Sequence, residues 1–343
     1  MVRIAIDAMG GDFGCKPIVE GCSLAIDLAK SGGFEFEPIL VGESTQILTH
    51  LRSDLHKKVK IIEAADTIAM SDHATDALKR RESSIYKAVE LVAKKEADAV
   101  VSAGHSGATM SLATLKIGRL KGISRPALAT LMPTAIEGKK SLVLDVGANV
   151  DSEPKHLFQS AIMGKAYASQ LLKLENPRVG LLANGEEEGK GDKLVKESFL
   201  MIKELREEGF NFVGNVEGCD VFKGEVDVIV CDGFVGNVLL KTSEGISEAI
   251  VKVLKRAAKQ SFLTTVGALL FRPAFKTLKQ MMDYDEYGGA PLLGINGTAI
   301  ISHGKSTPKA VLNAILQAVR FAESNVNSEI VRYLDRYALK GEN

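Results

Sequence analysis

The chain has 343 residues, 45% hydrophobic and 25% charged, with 43 Lys+Arg balancing 43 Asp+Glu. That balance and apolar content exclude a disordered chain and an overall field able to capture nucleic acid. No apolar stretch approaches the ~18 residues of a spanning helix, and Met1–Asp7 lacks the long apolar run of a signal peptide.

In chain order, continuous Val/Ile/Leu-rich runs predict strands over Arg3–Asp7, Phe36–Val41, Lys58–Glu63, Asp98–Ser102, Ala127–Met132 and Ser141–Val146. Further runs follow at Arg178–Ala183, Asn211–Val213, Val226–Cys231 and Ala299–Ser302. Unbroken apolar runs suit strands covered on both faces, as in a mainly parallel sheet. Helical patterns separate them. One starts at Asp151-Ser-Glu-Pro154. The last is capped by Ser306 or Thr307, carries Pro308 in its first turn, and repeats Val311, Ala314, Ile315, Ala318, Val319 and Ala322 at helical spacing. The alternation predicts a three-layer αβα fold in one domain spanning 1–343, with no Gly/Ser/Pro-rich linker dividing it. The cysteines Cys15, Cys22, Cys219 and Cys231 show neither CxxC nor zinc spacing and read as reduced thiols.

Polar glycine turns close many of the strands: Asp7–Asp12, Ser102–Gly107, Asp145–Asn149, Ala183–Lys190, Asp232–Asn237 and Ser302–Lys305. Ligands of open α/β sheets sit beyond the carboxyl ends of strands, where glycine lets backbone N–H groups approach an anion. Several such turns on one edge predict a small-anion site. Tight turns in any α/β fold also demand glycine, so each turn taken singly carries a purely structural reading as well.

The opening Ile4-Ala-Ile-Asp-Ala-Met-Gly-Gly-Asp12 resembles the signature of the bacterial PlsX family. The resemblance continues through Ser102–Ala108, Gly118-Arg-Leu-Lys-Gly-Ile-Ser-Arg-Pro-Ala127, Leu144–Asp151, Asp232–Val238 and Tyr287-Gly-Gly-Ala290. It implies a phosphate acyltransferase of phospholipid synthesis, taking acyl groups from acyl-acyl carrier protein to inorganic phosphate. It also implies a homodimer and a fold similar to the isocitrate/isopropylmalate dehydrogenase group. At His105-Ser106-Gly107 the family usually carries Asn-Thr-Gly, so any substrate contact of that Asn falls here to His105.

Such a reaction leans on positioning and electrostatics, because phosphate is already an ionised nucleophile near neutral pH. It needs no cofactor and no metal, and the chain shows neither HExxH nor GxSxG. Lys190, on a loop position the family places at its site, is expected to pair with phosphate or the oxyanion; otherwise it neutralises the three glutamates before it. Asn237 is expected to donate an amide N–H, and Asp232 to orient Lys190 or a water, unless Asp232 serves only an Asx turn and helix cap. Gly10, Gly11, Asp12, Gly104, His105, Ser106, Asn149, Gly233 and Gly236 complete the expected substrate and phosphate contacts. The basic run Lys79-Arg80-Arg81 meets phosphate or an acidic carrier protein, or is simply a solvated face.

Residues 252–282 hold seven Lys/Arg and no acidic residue before Met282. A helical hairpin insertion is predicted over 246–284, its helices joined near Gly267–Pro273. Phe262, Leu263, Leu269, Leu270 and Phe271 form its apolar tip, flanked by Lys255, Arg256 and Lys259. Such a hairpin suits reversible contact with an anionic membrane surface, docking of an acidic carrier protein, or a dimer interface. The expected location is cytoplasmic, against the inner face of the cell membrane. Two rivals remain. A β-decarboxylating, NAD-dependent dehydrogenase of similar fold would need a dinucleotide loop that Gly10–Gly14 does not match. A membrane-docked scaffold for carrier protein would need no chemistry.

Overall fold

The computed structural model describes residues 1–32, 34–273, 275 and 288–338. Its framework is one sheet of β1 (Val2–Asp7), β2 (Phe36–Gly42), β3 (Lys60–Glu63), β4 (Ala99–Ser102), β5 (Ala127–Pro133), β6 (Lys140–Leu144), β7 (Val179–Leu182), β8 (Phe212–Val216), β9 (Val228–Val230), β10 (Ala290–Leu293) and β11 (Thr298–Ile301). The spatial order is β3-β2-β1-β4-β11-β10-β5-β6-β9-β7-β8. All ten predicted strands form, with ends shifted by up to three residues. The strand that the pattern does not predict is β10. It is four residues long, contains Pro291 and is bracketed by Gly289 and Gly294, so its local signal is that of a turn.

Around the sheet lie α1 (Cys15–Lys30), α2 (Ser44–His50), α3 (Ser84–Ala93), α4 (Ser106–Leu112, continued by a π turn over Ala113–Ile117), α5 (Pro154–Leu171), α6 (Lys193–Glu204), α7 (Asp220–Lys223), α8 (Gly233–Ala258), α9 (Phe262–Leu270), α10 (Pro308–Glu323) and α11 (Val326–Ala338). The two helix starts read from the sequence hold. Thr307 caps α10 by accepting from Ala310 N at 3.3 Å, ahead of Pro308. Glu153 caps α5 in a reciprocal box with His156, ahead of Pro154.

Successive strand residues face opposite layers. Ile4 and Ile6 of β1 pack with Val311 and Ile315 of α10, while Ala5 between them joins Val89 of α3. In β6, Leu142 and Leu144 pack with Ile162 and Met163 of α5, while Val143 turns to the α3 side. Both faces are therefore apolar, which is why the strands read as unbroken hydrophobic runs.

Seven strand pairings are parallel. The three antiparallel ones, β11–β10, β10–β5 and β5–β6, lie together at mid-sheet. Three reversals in a row leave β3, β2, β1, β4 and β11 running against β6, β9, β7 and β8. The glycine turns thus leave the sheet at two opposite edges, one set per half, and not at the single edge the sequence suggested.

A helix break falls at Phe271, within the joint predicted near Gly267–Pro273, and a further one, not predicted, at Lys259–Ser261. Gly267 lies inside α9, whose start is fixed by a capping box between Ser261 and Thr264. The hairpin's return arm, with Lys276, Lys279 and Met282, lies outside the described residues. Among the described residues no helix is long and apolar enough to cross a membrane.

Candidate active site

In the first half, the turns after β1, β4 and β11 pack backbone to backbone. A Cβ on Gly10 would sit 2.7 Å from Gly104 N, so only glycine permits this approach. Gly11 lies beneath Gly304, and Asp12 N donates to Gly304 O at 2.7 Å. Below them Ser102 Oγ donates to the buried Asp7 Oδ2 at 2.8 Å and accepts from Gly104 N at 3.1 Å. Burial raises the Asp7 carboxyl above its ordinary value, against the pull of its hydrogen bonds.

His105 caps α4. Its Nδ1 accepts from Ala108 N at 3.2 Å, so Nε2 carries the proton and donates to Asp72 O at 3.0 Å. Both ring nitrogens are committed to the protein. Arg80 anchors the same Asp72 loop, donating through Nη1 to Asp72 at 2.7 Å and through Nε to Asp66 at 2.7 Å. The middle of the basic run is thus a clamp, not a solvated face.

In the second half the hub is Asp145, immediately after β6. Its carboxylate accepts from the backbone N–H groups of Leu128 and Gly147 at 3.1 Å and of Ala148 and Asn149 at 2.8 Å. Asn149 Nδ2 adds a fifth bond at 2.8 Å and also donates to Pro126 O at 2.7 Å. Burial still holds this carboxyl above its usual range. The β9 turn docks on this hub. Gly233 N donates to Asn149 O at 2.8 Å. A Cβ on Gly236 would fall 1.9 Å from Asp145 O, so no side chain fits there. Asp232 Oδ1 accepts from Phe234 N at 2.9 Å and Val235 N at 3.0 Å, which makes it the N-cap of α8. Lys190 follows β7 at the same edge. Its side chain is 48% exposed, and its Nζ lies 4.0 Å from Glu187.

The two halves meet in a cleft of about 270 Å³ between α4 and α8, floored by β5 and β10. Leu128, Met132, Val146, Phe222 and Leu240 give it apolar walls. Ser106, Ser302, His303 and Ser306 form a polar end, and Asn237, Lys241 and Glu244 line it along α8. Asn237 faces Gly147, and Lys241 Nζ pairs with Glu244 at 2.8 Å. Burial, reinforced by Lys241, holds the His303 imidazole below its ordinary range and therefore uncharged near neutral pH. Of the expected site residues, Ser106 and Asn237 line this cleft. Gly10, Gly11, Asp12, Gly104, His105, Asp232, Gly233 and Gly236 lie in the adjoining turns without lining it, Asn149 lines a second cavity and Lys190 lines neither. The sequence reading does not single out Lys241 or Glu244, and it names Ser306 only as a candidate helix cap. The available signal was spacing: Lys241 stands four residues after Asn237, on the same helical face.

A trough with apolar walls, a polar end and an ion-paired lysine along its side suits a ligand with a greasy tail and a small charged or polarised head. Among the described residues no group of three or more His, Cys, Asp or Glu could hold a metal ion. A second cavity of about 970 Å³ opens on the other side of Met110, which lines both.

A family described as fatty acid synthesis protein matches residues 2–329. The phosphate acyltransferase of Campylobacter concisus is 57% identical, covering 98% of this chain and 100% of that protein. That of a Nitratiruptor species is 56% identical, over 99% of this chain and 100% of its own. Among solved structures, a phosphotransacetylase from Streptococcus pyogenes matches with a TM-score of 0.62 at 17% identity, covering 94% of each chain. A branched-chain phosphotransacylase from Enterococcus faecalis matches with a TM-score of 0.57 at 14% identity, covering 94% of this chain and 99% of that one. At those identities the two structures establish a shared fold alone. Family match and full-length identity together place this chain in the fatty acid synthesis protein family, the PlsX family, beside relatives named phosphate acyltransferase.

Proposed function

We propose that the protein is a phosphate acyltransferase, moving a fatty acyl group from the thioester of acyl-acyl carrier protein to inorganic phosphate. A phosphate oxygen attacks the thioester carbonyl, a C–O bond forms, the C–S bond breaks, and acyl phosphate and the carrier thiol leave. The observation that carries this reading is the cleft itself: apolar walls for an acyl chain, an end of serine hydroxyls and the His303 imidazole, and an amide and an ammonium along α8. Asn237 donates to the carbonyl oxygen as it becomes an oxyanion. Ser106 and the Ser302–Ser306 turn hold phosphate, with Gly10, Gly11, Asp12 and Gly104 fixing that turn's neighbours. Asp232, Gly233 and Gly236 set the first turn of α8 so that Asn237 faces the cleft. Two lysines, equally exposed, compete for the cation's part: Lys241, which lines the cleft and pairs with Glu244, and Lys190, at the same sheet edge as Asp232 and near Glu187. A large rise in the KM for phosphate in Lys241→Met or in Lys190→Met, not in both, assigns it.

The mixed sheet with helices on both faces supports a likeness to the isocitrate/isopropylmalate dehydrogenase fold. Phe262 is 82% exposed, Leu263 80% and Leu270 79%, beside Lys255, Arg256 and Lys259. Each basic residue near an anionic surface contributes about 1 kcal/mol, and a buried Leu or Phe ~1.5–3 kcal/mol. That supports a reversible membrane contact by the hairpin of 246–284, or its burial in a homodimer. Liposome flotation of Leu269→Glu distinguishes them, since unchanged binding defeats the membrane reading. The reaction is tested by thiol release from acyl-acyl carrier protein. Release only with added phosphate is expected; release without it means a thioesterase.

A further inference from the structure

The second cavity has no part in the reaction as drawn so far. It lies between α4 with its π turn, the loop Gly118–Pro126 and Asn149. Two arginines line it, Arg119 and Arg125, with the hydroxyls of Thr75, Ser111 and Thr114, and no carboxylate. A cavity with guanidinium and hydroxyl donors and no acidic side chain is built for an anion that also offers acceptors along its length. Among the described residues the Arg125 guanidinium has no hydrogen-bond or ion-pair partner. Arg119 bonds to Ser124 O, which tethers the loop at the cavity's rim. Met110 lines both this cavity and the catalytic cleft, and Arg125 stands three residues before the cleft residue Leu128, at most about 11 Å of extended chain away.

We propose that this cavity binds the phosphorylated pantetheine arm of the acyl donor, with Arg125 and Arg119 on its phosphate. The amide-rich arm then runs along the hydroxyls of Thr75, Ser111 and Thr114. Its thioester arrives at Met110, and the acyl chain continues into the apolar trough. The inference rests on the acyl-transfer reading for the identity of the donor. It explains why two cavities of different chemistry abut: one takes the tail, the other the handle.

The test compares free 4′-phosphopantetheine with pantetheine, which lacks only the phosphate, by calorimetry on the intact protein and on Arg125→Gln and Arg119→Gln. The wild-type protein binds the phosphorylated compound about tenfold or more tightly, the scale of a charge-assisted hydrogen bond, and Arg125→Gln removes that preference. In turnover, the KM for acyl-acyl carrier protein rises about tenfold in Arg125→Gln while the KM for inorganic phosphate stays put. Equal binding of the two compounds by the wild-type protein, or an unchanged preference in Arg125→Gln, overturns the proposal. So does a rise in the KM for inorganic phosphate in place of the donor's, which makes the cavity the co-substrate's site. If the binding difference is present but the wild-type protein releases no thiol with phosphate, the acyl-transfer reading fails and the arm site stands.

Discussion

The two halves of the sheet solve one problem in different ways. Each closes a central strand with a buried aspartate, Asp7 as the last residue of β1 and Asp145 directly after β6, and each uses it to hold a glycine turn. Asp7 accepts from Ser102 Oγ at 2.8 Å and, more weakly, from Met9 N of its own turn at 3.3 Å, and glycines packed on glycines share in shaping that turn. Asp145 gathers five N–H donors and organises its turn alone. The first half therefore relies on close packing of small residues, the second on a polar hub. The cleft forms where the two meet.

This contrast is sharpest under mutation. Asp145→Ala removes the acceptor of four backbone N–H groups, one buried and three half-buried, while Asn149 Nδ2 keeps Pro126 O; at ~1–3 kcal/mol for each bond left unmade it is expected to abolish folding or cost more than about 4 kcal/mol. Asp7→Ala should cost clearly less, and thermal unfolding that ranks them the other way breaks the comparison. Next in size is Asn237→Ala, on the second half's side of the cleft. Its kcat should fall ~10²–10³-fold, as for loss of one oxyanion donor, with little change in Tm. A variant that raises only the KM for the acyl donor removes Asn237 from the carbonyl. Smaller is His105→Ala, expected to cost about 1 kcal/mol as a lost helix cap, through stability and not through a substrate contact. Full retention of Tm with a collapse in kcat contradicts that assignment.

The pH dependence has the same sign at both hubs, since burial raises Asp145 as well as Asp7. Burial raises the Asp7 carboxyl, so the folded chain holds that proton more tightly than the unfolded one. Its contribution is fully present below the ordinary 3.8 and is lost as pH rises through the elevated folded value. Asp7→Asn should flatten that part of the stability curve, as read by denaturant unfolding across pH. Smallest is the thiol pattern. Cys219 is exposed, whereas burial pushes Cys15 to about 11 and Cys22 to about 12. Native labelling at neutral pH should therefore reach Cys219 and spare the others until the chain unfolds.

Much of this fold was readable because strands buried on both faces leave continuous Val/Ile/Leu runs. The glycine turns at their ends were equally legible. Their division between two edges was not, because strand direction is set at mid-sheet by β10 and β5. Leu292 pairs with Leu128, residues far apart in sequence, and no local pattern reports that. For the same reason Lys241 reads as an ordinary surface lysine on α8 until α4 is placed opposite it. Asp232 and His105 show the converse. Their residue types and positions fit both a ligand contact and a helix cap, and only geometry displays the cap. In the hairpin region the break at Phe271 falls between the local breakers Gly267 and Pro273, whereas the earlier one, where Ser261 with Thr264 starts α9, carries no glycine or proline signal.

The central claim is that the cleft brings inorganic phosphate against an acyl thioester. It is tested most directly by incubating the protein with acyl-acyl carrier protein and isotopically labelled orthophosphate, then isolating the acyl product. The account predicts labelled acyl phosphate formed in step with free carrier thiol. Thiol released with free fatty acid and no label in any acyl product would contradict it.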